Sequence, residues 1–320
     1  MPLLSWKPWS SKSESDETEA ALRMDEDARP YEVSEEHLLM PRMGLRAGWV
    51  ESCAYAGCQS GWLHPWRNRS FPVFENGWTC SRECTAGRVL GALRREMGNR
   101  GKANDDYRHR IPLGLLMLDQ GWVSKNQLRC ALEAQKGAGK GRLGQWLVKQ
   151  GAVSERTVAR ALGMQWSCAV LEPEERPSEK LPLILPRFFV EAFGALPLRM
   201  AAARLLYMGF EDRLDPVLAL AVERMNGIRV ESGVVPGREF REAHARMLRQ
   251  QFPPLEMVEA AGETAAAHVM ARAIEQSRPV ESRLIRVHDC YWLRMWLELP
   301  KAALPAAGMV KDVVCSLGQI

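Results

Sequence analysis

The sequence predicts an α+β protein built from small parts. These are a four-cysteine zinc module, a tandem helical-hairpin subdomain, and a small α/β subdomain with a C-terminal helix plus hairpin. Three observations predict it. Two close cysteine pairs bracket a turn-rich stretch, one pattern occurs twice at an offset of 30 residues, and strand and helix periodicities alternate after residue 180.

Of 320 residues, 46% are hydrophobic and 26% charged, which is ordinary for a soluble globular chain and excludes a wholly disordered or collagen-like one. No run of about 20 uncharged apolar residues occurs, so no membrane span is expected and the cytoplasm is the expected compartment. The apolar start is too short for a signal peptide. Charge is unevenly placed. Residues 1–36 carry four basic and ten acidic side chains, net −6, so the remainder of a +4 chain carries +10. A basic body behind an acidic leader suits either an anionic partner or a solvated surface with a flexible tail.

Residues 1–40 are polar and aperiodic and read as a disordered acidic leader. Residues 41–100 read as the zinc-binding module with its helix. Cys53 with Cys58, and Cys80 with Cys84, form two knuckles about twenty residues apart. Four thiolates can wrap one tetrahedral Zn²⁺, which leaves no open catalytic position. Ser70 to Phe74 and Trp78-Thr79 flank Glu75-Asn76-Gly77, an Asn-Gly hairpin signal, and Ser81 to Met97 is helical by periodicity. The order knuckle, hairpin, helix resembles a treble-clef or zinc-ribbon module. Disulfides and free core thiols are the competing readings, and the cytoplasmic character of the chain argues against the first. His64 is an alternative ligand, read here as a surface residue. Trp49, Trp62, Trp66 and Trp78 supply an apolar shell. Cys130, Cys168, Cys290 and Cys315 have no comparable pairing and read as buried small hydrophobes.

Residues 98–109 read as a linker, and residues 110–166 as the tandem repeat. Pro112-Leu113-Gly114 aligns with Arg142-Leu143-Gly144, Gly121 with Gly151, Ser124 with Ser154, and Gln135 with Gln165. Each copy reads as a helical hairpin. Leu113, Leu116 and Met117 share a face, as do Leu143, Trp146 and Leu147. Gly121 and Gly151 suit a left-handed stop, and Ser124 and Ser154 cap the second helices, with Gln127 completing a capping box in the first copy. Leu128 with Leu132, and Val158 with Leu162, form the second helices' stripes.

Residues 166–186 read as a connection, and residues 180–250 as the α/β subdomain. Strands are expected at Ala195 to Met200, Leu205 to Gly209 and Ile228 to Val235, with helices at Pro216 to Met225 and Arg238 to Gln250. Residues 255–320 read as an Ala-rich helix from Leu255 to Gln276, then a hairpin of Arg283 to Val287 with Tyr291 to Leu297 around His288-Asp289. The last twenty residues give weak signals.

The second copy, Arg142-Leu143-Gly144-x-x-Leu147-Val148-x-x-Gly151 with Val153, Val158, Leu162 and Gln165, resembles the N-terminal (MshEN, or GspE/PilB N-terminal) domain of type II secretion and type IV pilus assembly ATPases. The resemblance covers about residues 110–250, including the Ala195-Leu196-Pro197-Leu198 strand and the Asp215-Pro216 turn. Residues 259–297 faintly resemble the start of the next ATPase subdomain, in degenerate form. It implies a cyclic di-GMP site formed by both copies: Arg142, Leu143, Leu147, Val158, Leu162 and Gln165 from the second, Leu113, Met117, Leu128, Leu132 and Gln135 from the first. The first copy departs from the pattern, since Pro112 stands where the motif has Arg. The residue-level alternative is that these apolar side chains pack the helical core.

No Gly-x-x-x-x-Gly-Lys-Ser/Thr loop, Gly-x-Ser-x-Gly elbow or His-Glu-x-x-His motif is present, and no ATPase domain is expected after Leu297. The sequence therefore points to a non-enzyme: a cytoplasmic regulatory or adaptor protein with structural zinc, cyclic di-GMP as a ligand, and protein partners in secretion or pilus machinery. The alternative is a zinc-ribbon nucleic-acid binder using Arg67, Arg69, Arg82, Arg88, Arg94, Arg95 and Arg100.

Overall fold

The computed structural model describes residues 53–59, 73–98, 110–202, 204–298 and 304–318. The expected leader, the linker at 99–109, Trp49, His64, Trp62, Trp66, Arg67, Arg69 and Arg100 lie outside the described residues. The architecture is α+β. Among the described residues, no helix is long and apolar enough to cross a membrane.

The first elements are a short hairpin, β1 (Val73–Phe74) with β2 (Gly77–Trp78), and helix α1 (Arg82–Gly98). The turn sits one residue earlier than expected. Glu75 and Asn76 carry the positive φ values, 48° and 58°, and Gly77 opens β2. A β-carbon on Gly77 would lie 2.0 Å from Arg88 Nη1, so this glycine serves close packing instead of the turn.

Four helices follow: α2 (Leu113–Asp119), α3 (Lys125–Ala138), α4 (Leu143–Lys149) and α5 (Glu155–Trp166). Local chemistry sets their ends as expected. Gly121 and Gly151 adopt φ of 67° and 68° just past α2 and α4. Ser124 Oγ accepts from Gln127 N, and Gln127 Oε1 accepts from Ser124 N at 2.8 Å, completing the capping box. Ser154 Oγ accepts from Thr157 N at 3.1 Å. Met117, Val123, Leu128, Ala131, Leu147 and Ala161 form one core shared by both copies.

The expected connection at 166–186 holds a 3₁₀ turn (Leu181–Ile184), followed by a helix that sequence reading did not anticipate, α6 (Arg187–Phe193). Two of its apolar positions, Phe189 and Val190, are fully buried, and seven residues are too few for a clear period. Next come β3 (Leu196–Ala201), β4 (Leu205–Phe210), α7 (Pro216–Asn226), β5 (Arg229–Val234) and α8 (Gly237–Met247), close to expectation. Strand β4 pairs antiparallel with β3 and parallel with β5. Asp215 caps α7, its carboxylate accepting from Leu218 N at 3.0 Å.

The C-terminal part differs from expectation. Residues Leu255–Ala260 are strand β6, and the Ala-rich helix α9 spans Glu263–Ser277. Strands β7 (Glu281–Val287) and β8 (Cys290–Trp296) form the expected hairpin, with His288 and Asp289 in its turn. The weak C-terminal signal conceals β9 (Val310–Leu317), which lies between β6 and β8. Pairing with β9 overrides the helical bias of β6.

Both faces of this four-stranded sheet are covered. Leu284, Tyr291, Leu293, Val313 and Cys315 face α1 and α9, while Ile285, Trp292, Trp296 and Val314 face the core of α6 and α7. A strand buried on both sides shows no polar alternation, which is why β9 is silent in sequence. Its one charge in the core, Asp312, is fully buried against its register partner Arg294 at 2.8 Å. Asp312 also accepts from Trp292 Nε1 at 2.8 Å, and Arg294 donates to Asn226 Oδ1 at 2.9 Å and to the Ile184 carbonyl. The pair thus ties β8 and β9 to α7 and the 3₁₀ turn.

Asp312→Ala strands a buried guanidinium and is expected to cost about 3–5 kcal/mol in urea unfolding. Glu133→Ala breaks only the exposed Arg129–Glu133 pair and is expected to leave the unfolding midpoint essentially unchanged.

Candidate functional site

The four-cysteine cluster is assembled by backbone geometry. Ala54 N donates to the Trp78 carbonyl at 2.8 Å, which folds the first knuckle onto the hairpin. Arg88 reaches back from α1 to the carbonyls of Ala54 and Glu75. Ser81 Oγ accepts from Cys84 N at 3.2 Å, fixing Cys84 in the first turn of α1. The Sγ atoms of Cys53, Cys58, Cys80 and Cys84 all lie within 4.8 Å of one another. Cys58 to Cys80 is 3.5 Å and Cys80 to Cys84 is 3.7 Å. A tetrahedron with metal–sulfur bonds of about 2.3 Å has edges of about 3.8 Å. The donor set and its spacing therefore could hold a metal ion. Burial above all, with the neighbouring sulfurs adding to it, pushes the Cys84 thiol up to about 12.

The module is tied to the C-terminal sheet. Glu75 N donates to the Ser282 carbonyl at 2.9 Å, and Ser282 Oγ donates to the Val73 carbonyl at 2.8 Å. At the far end of α1, the buried Glu96 carboxylate accepts from both Arg224 Nη atoms, at 3.1 and 2.6 Å, and from Arg286 N at 3.3 Å. Arg82, Arg94 and Arg95 pair with Glu275, Glu263 and Glu75. With Arg88, four guanidiniums suggested for a nucleic-acid surface thus have internal partners. Of the cysteines expected to be buried, only Cys315 is; Cys130 is exposed, and Cys168 and Cys290 are half-buried. Cys130 sits on the outer side of α3, away from its Leu128 and Ala131 stripe.

In the repeat, Gln135 and Gln165 occupy equivalent places. Gln135 Nε2 donates to the carbonyl of Gly141, the residue before Arg142, at 2.9 Å. Gln165 Nε2 donates to the carbonyl of Ile111, the residue before Pro112, at 2.7 Å. The second bond joins the end of the second copy to the start of the first. Arg110 reinforces it, with its guanidinium 3.5 Å from the centre of the Trp166 ring and a bond to the Gln165 carbonyl at 3.3 Å. The motif glycines have a packing reason. A β-carbon on Gly144 would lie 2.6 Å from Val158 Cγ1, and one on Gly114 would lie 2.8 Å from Leu128 Cδ1.

The remaining motif residues separate by depth. Met117 and Leu147 are fully buried and Leu128 nearly so, within the helical core. Leu132 is exposed, and Leu143 is half-buried. Leu113, Val158 and Leu162 lie in a small apolar cluster with Val234 and Leu214 of the α/β subdomain. Arg142 is exposed and pairs with Asp212 in the β4–α7 loop.

A cleft of about 550 Å³ opens there, lined by Arg142, Phe193, Asp212, Asp215, Phe240 and His288 among others. His288 Nε2 lies 2.6 Å from Asp215 Oδ2, and its ring lies 4.8 Å from that of Phe193. Burial pushes the Asp215 carboxyl up, but His288 and the Leu218 N–H bring it below its ordinary value, and the same pairing raises the His288 imidazole. Sequence reading treated His288 as a turn residue and missed its partner. The available signal was the acidic string Glu211-Asp212-x-x-Asp215 at the carboxyl end of a strand.

No family model matches the chain. The type IV pilus assembly ATPase PilB of Thermus thermophilus is 27% identical over 271 residues, covering 66% of this chain and 30% of that protein. The likeness to a pilus assembly ATPase is thus partial on both chains. Among solved structures, MshE with cdg is 27% identical and covers 43% of this chain and 99% of its own, with a TM-score of 0.35. The N-terminal domain of XpsE is 20% identical and covers 45% of this chain and 97% of its own, with a TM-score of 0.33. The chain spans less than a third of the PilB relative's length.

Gly144→Ala is expected to destabilise the repeat by about 1–3 kcal/mol through the clash with Val158. Gly137→Ala, in the same unit but with open space around it, is expected to be neutral or to stabilise by up to about 1 kcal/mol. Thermal unfolding of the two variants checks the contrast.

Proposed function

We propose that the chain is a non-catalytic regulatory or adaptor module of a secretion or pilus assembly system, stapled by one structural zinc ion and responsive to cyclic di-GMP. It acts in the cytoplasm through protein partners of that machinery. The observation that carries this reading is the closure of the two motif copies into one helical body by Gln165 and Ile111, with the Arg142 guanidinium exposed at its edge.

The chemistry of the exposed residues supports a nucleotide. A guanidinium suits a phosphate or a guanine edge through paired hydrogen bonds. Leu132 and Leu143 offer apolar cover for a purine face, and each glutamine keeps an acceptor oxygen beside its committed N–H. The resemblance of the second copy to the family motif supplies the ligand class. Pro112 brings no donor to the first copy, so the two half-sites are unequal. One missing charged contact costs about 1.5–3 kcal/mol, at least tenfold in affinity.

Zinc would be held by Cys53, Cys58, Cys80 and Cys84 in a closed tetrahedral set, contributing folding energy. Since α1 is tied through Glu96 to α7 and β7, that energy is shared with the C-terminal sheet.

Native mass spectrometry of the full chain is expected to show one zinc ion per chain, lost in Cys84→Ser together with several degrees of thermal stability. A metal-free, fully stable chain contradicts the zinc assignment. Calorimetry with cyclic di-GMP is expected to show binding that Arg142→Ala weakens about tenfold or more; absence of heat from the wild-type chain contradicts the ligand assignment.

A further inference from the structure

Copy two of the motif faces the chain's own α/β subdomain. Arg142 pairs with Asp212, and Glu155 at the start of α5 pairs with Arg241 at 2.9 Å and accepts from Arg238 N. Arg241 in turn holds Glu211, the neighbour of Asp212. Between these charges lies a small apolar contact in which Ala159, Leu162 and Val234 are the buried members, with Val158 and Leu214 beside them. Behind it, the segment after α5 is bonded to β5, Leu171 N donating to the Val234 carbonyl at 2.8 Å and Val234 N to the Ala169 carbonyl at 3.0 Å, so only the half-exposed ionic rim is weak and salt-sensitive.

Resting on the nucleotide reading above, we infer that the α/β subdomain is an intramolecular competitor for the ligand, with Asp212 occupying Arg142 and with Leu214 and Val234 covering Val158 and Leu162. A phosphate-bearing ligand that takes Arg142 displaces the Asp212 carboxylate and frees the rim of the second copy, while the backbone bonds at Val234 stay in place. Ligand binding and loosening of this rim are then linked: whatever weakens the Arg142–Asp212 pair strengthens ligand binding, and ligand loosens the β4–α7 loop. The ion-pair belt sets the size of the effect. One half-exposed pair is worth a few-fold in affinity, enough to bias the interface without locking it.

The test is calorimetry of the full chain with cyclic di-GMP, wild type against Asp212→Asn. The variant is expected to bind about two- to fivefold more tightly at low salt, with the difference shrinking as salt rises. Equal or weaker binding by a folded variant overturns the competition while leaving the ligand reading intact. No heat from either protein overturns the ligand reading and the competition with it. Should Asp212→Asn fail to fold, amide exchange of the wild-type chain decides. Added cyclic di-GMP is expected to speed exchange across residues 211–215, and unchanged or slowed exchange there overturns the inference.

Discussion

Helices of seven residues do not stand alone, and each copy of the repeat opens with one. Neither hairpin can bury its stripe against itself, so each must use the other as its missing layer. The core of Met117, Leu128 and Ala131 with Leu147 and Ala161 is the outcome. The bond from Gln165 to Ile111 closes the arrangement end to start. The nucleotide proposal depends on that closure, because it alone sets Arg142 and the two glutamines on one body.

The remainder of the chain is braced in a different way. Buried charge, not local repetition, joins distant segments. Arg294 and Asp312 fasten the sheet to α7, and Glu96 fastens α1 to the same helix and to β7. Such pairs contribute little net stability but make alternatives expensive, since any other register would bury a charge without its partner. The four cysteines act at the opposite end of α1, where Ser81 and the helix N-terminus position Cys84. The helix is held at both termini by chemistry that its own apolar stripe could not supply.

What was legible in sequence follows from the range of the forces. Caps, glycine stops and the thirty-residue repeat are local, and Ser124, Gln127, Gly121 and Gly151 sit as their types require. The cysteine pairs were also readable, because their knuckles are short. Strand β9 was not, since burial on both faces removes the alternation that marks a strand. Strand β6 resembled helix because its partner lies fifty-seven residues downstream, at Asp312 for Leu255. The partners of Arg142 and His288 were invisible for the same reason: Asp212 and Asp215 belong to a loop that only the tertiary fold brings near. Of the motif residues, sequence could not separate Met117 and Leu147, which lie in the core, from Leu132, which reaches the surface.

Native-state amide exchange across residues 110–166 tests the closure most directly. If the two hairpins are one body, the slow amides of α3 and α5 open together with a single free energy. Exchange in which one copy opens while the other remains protected would contradict it, and the shared site would lose its foundation.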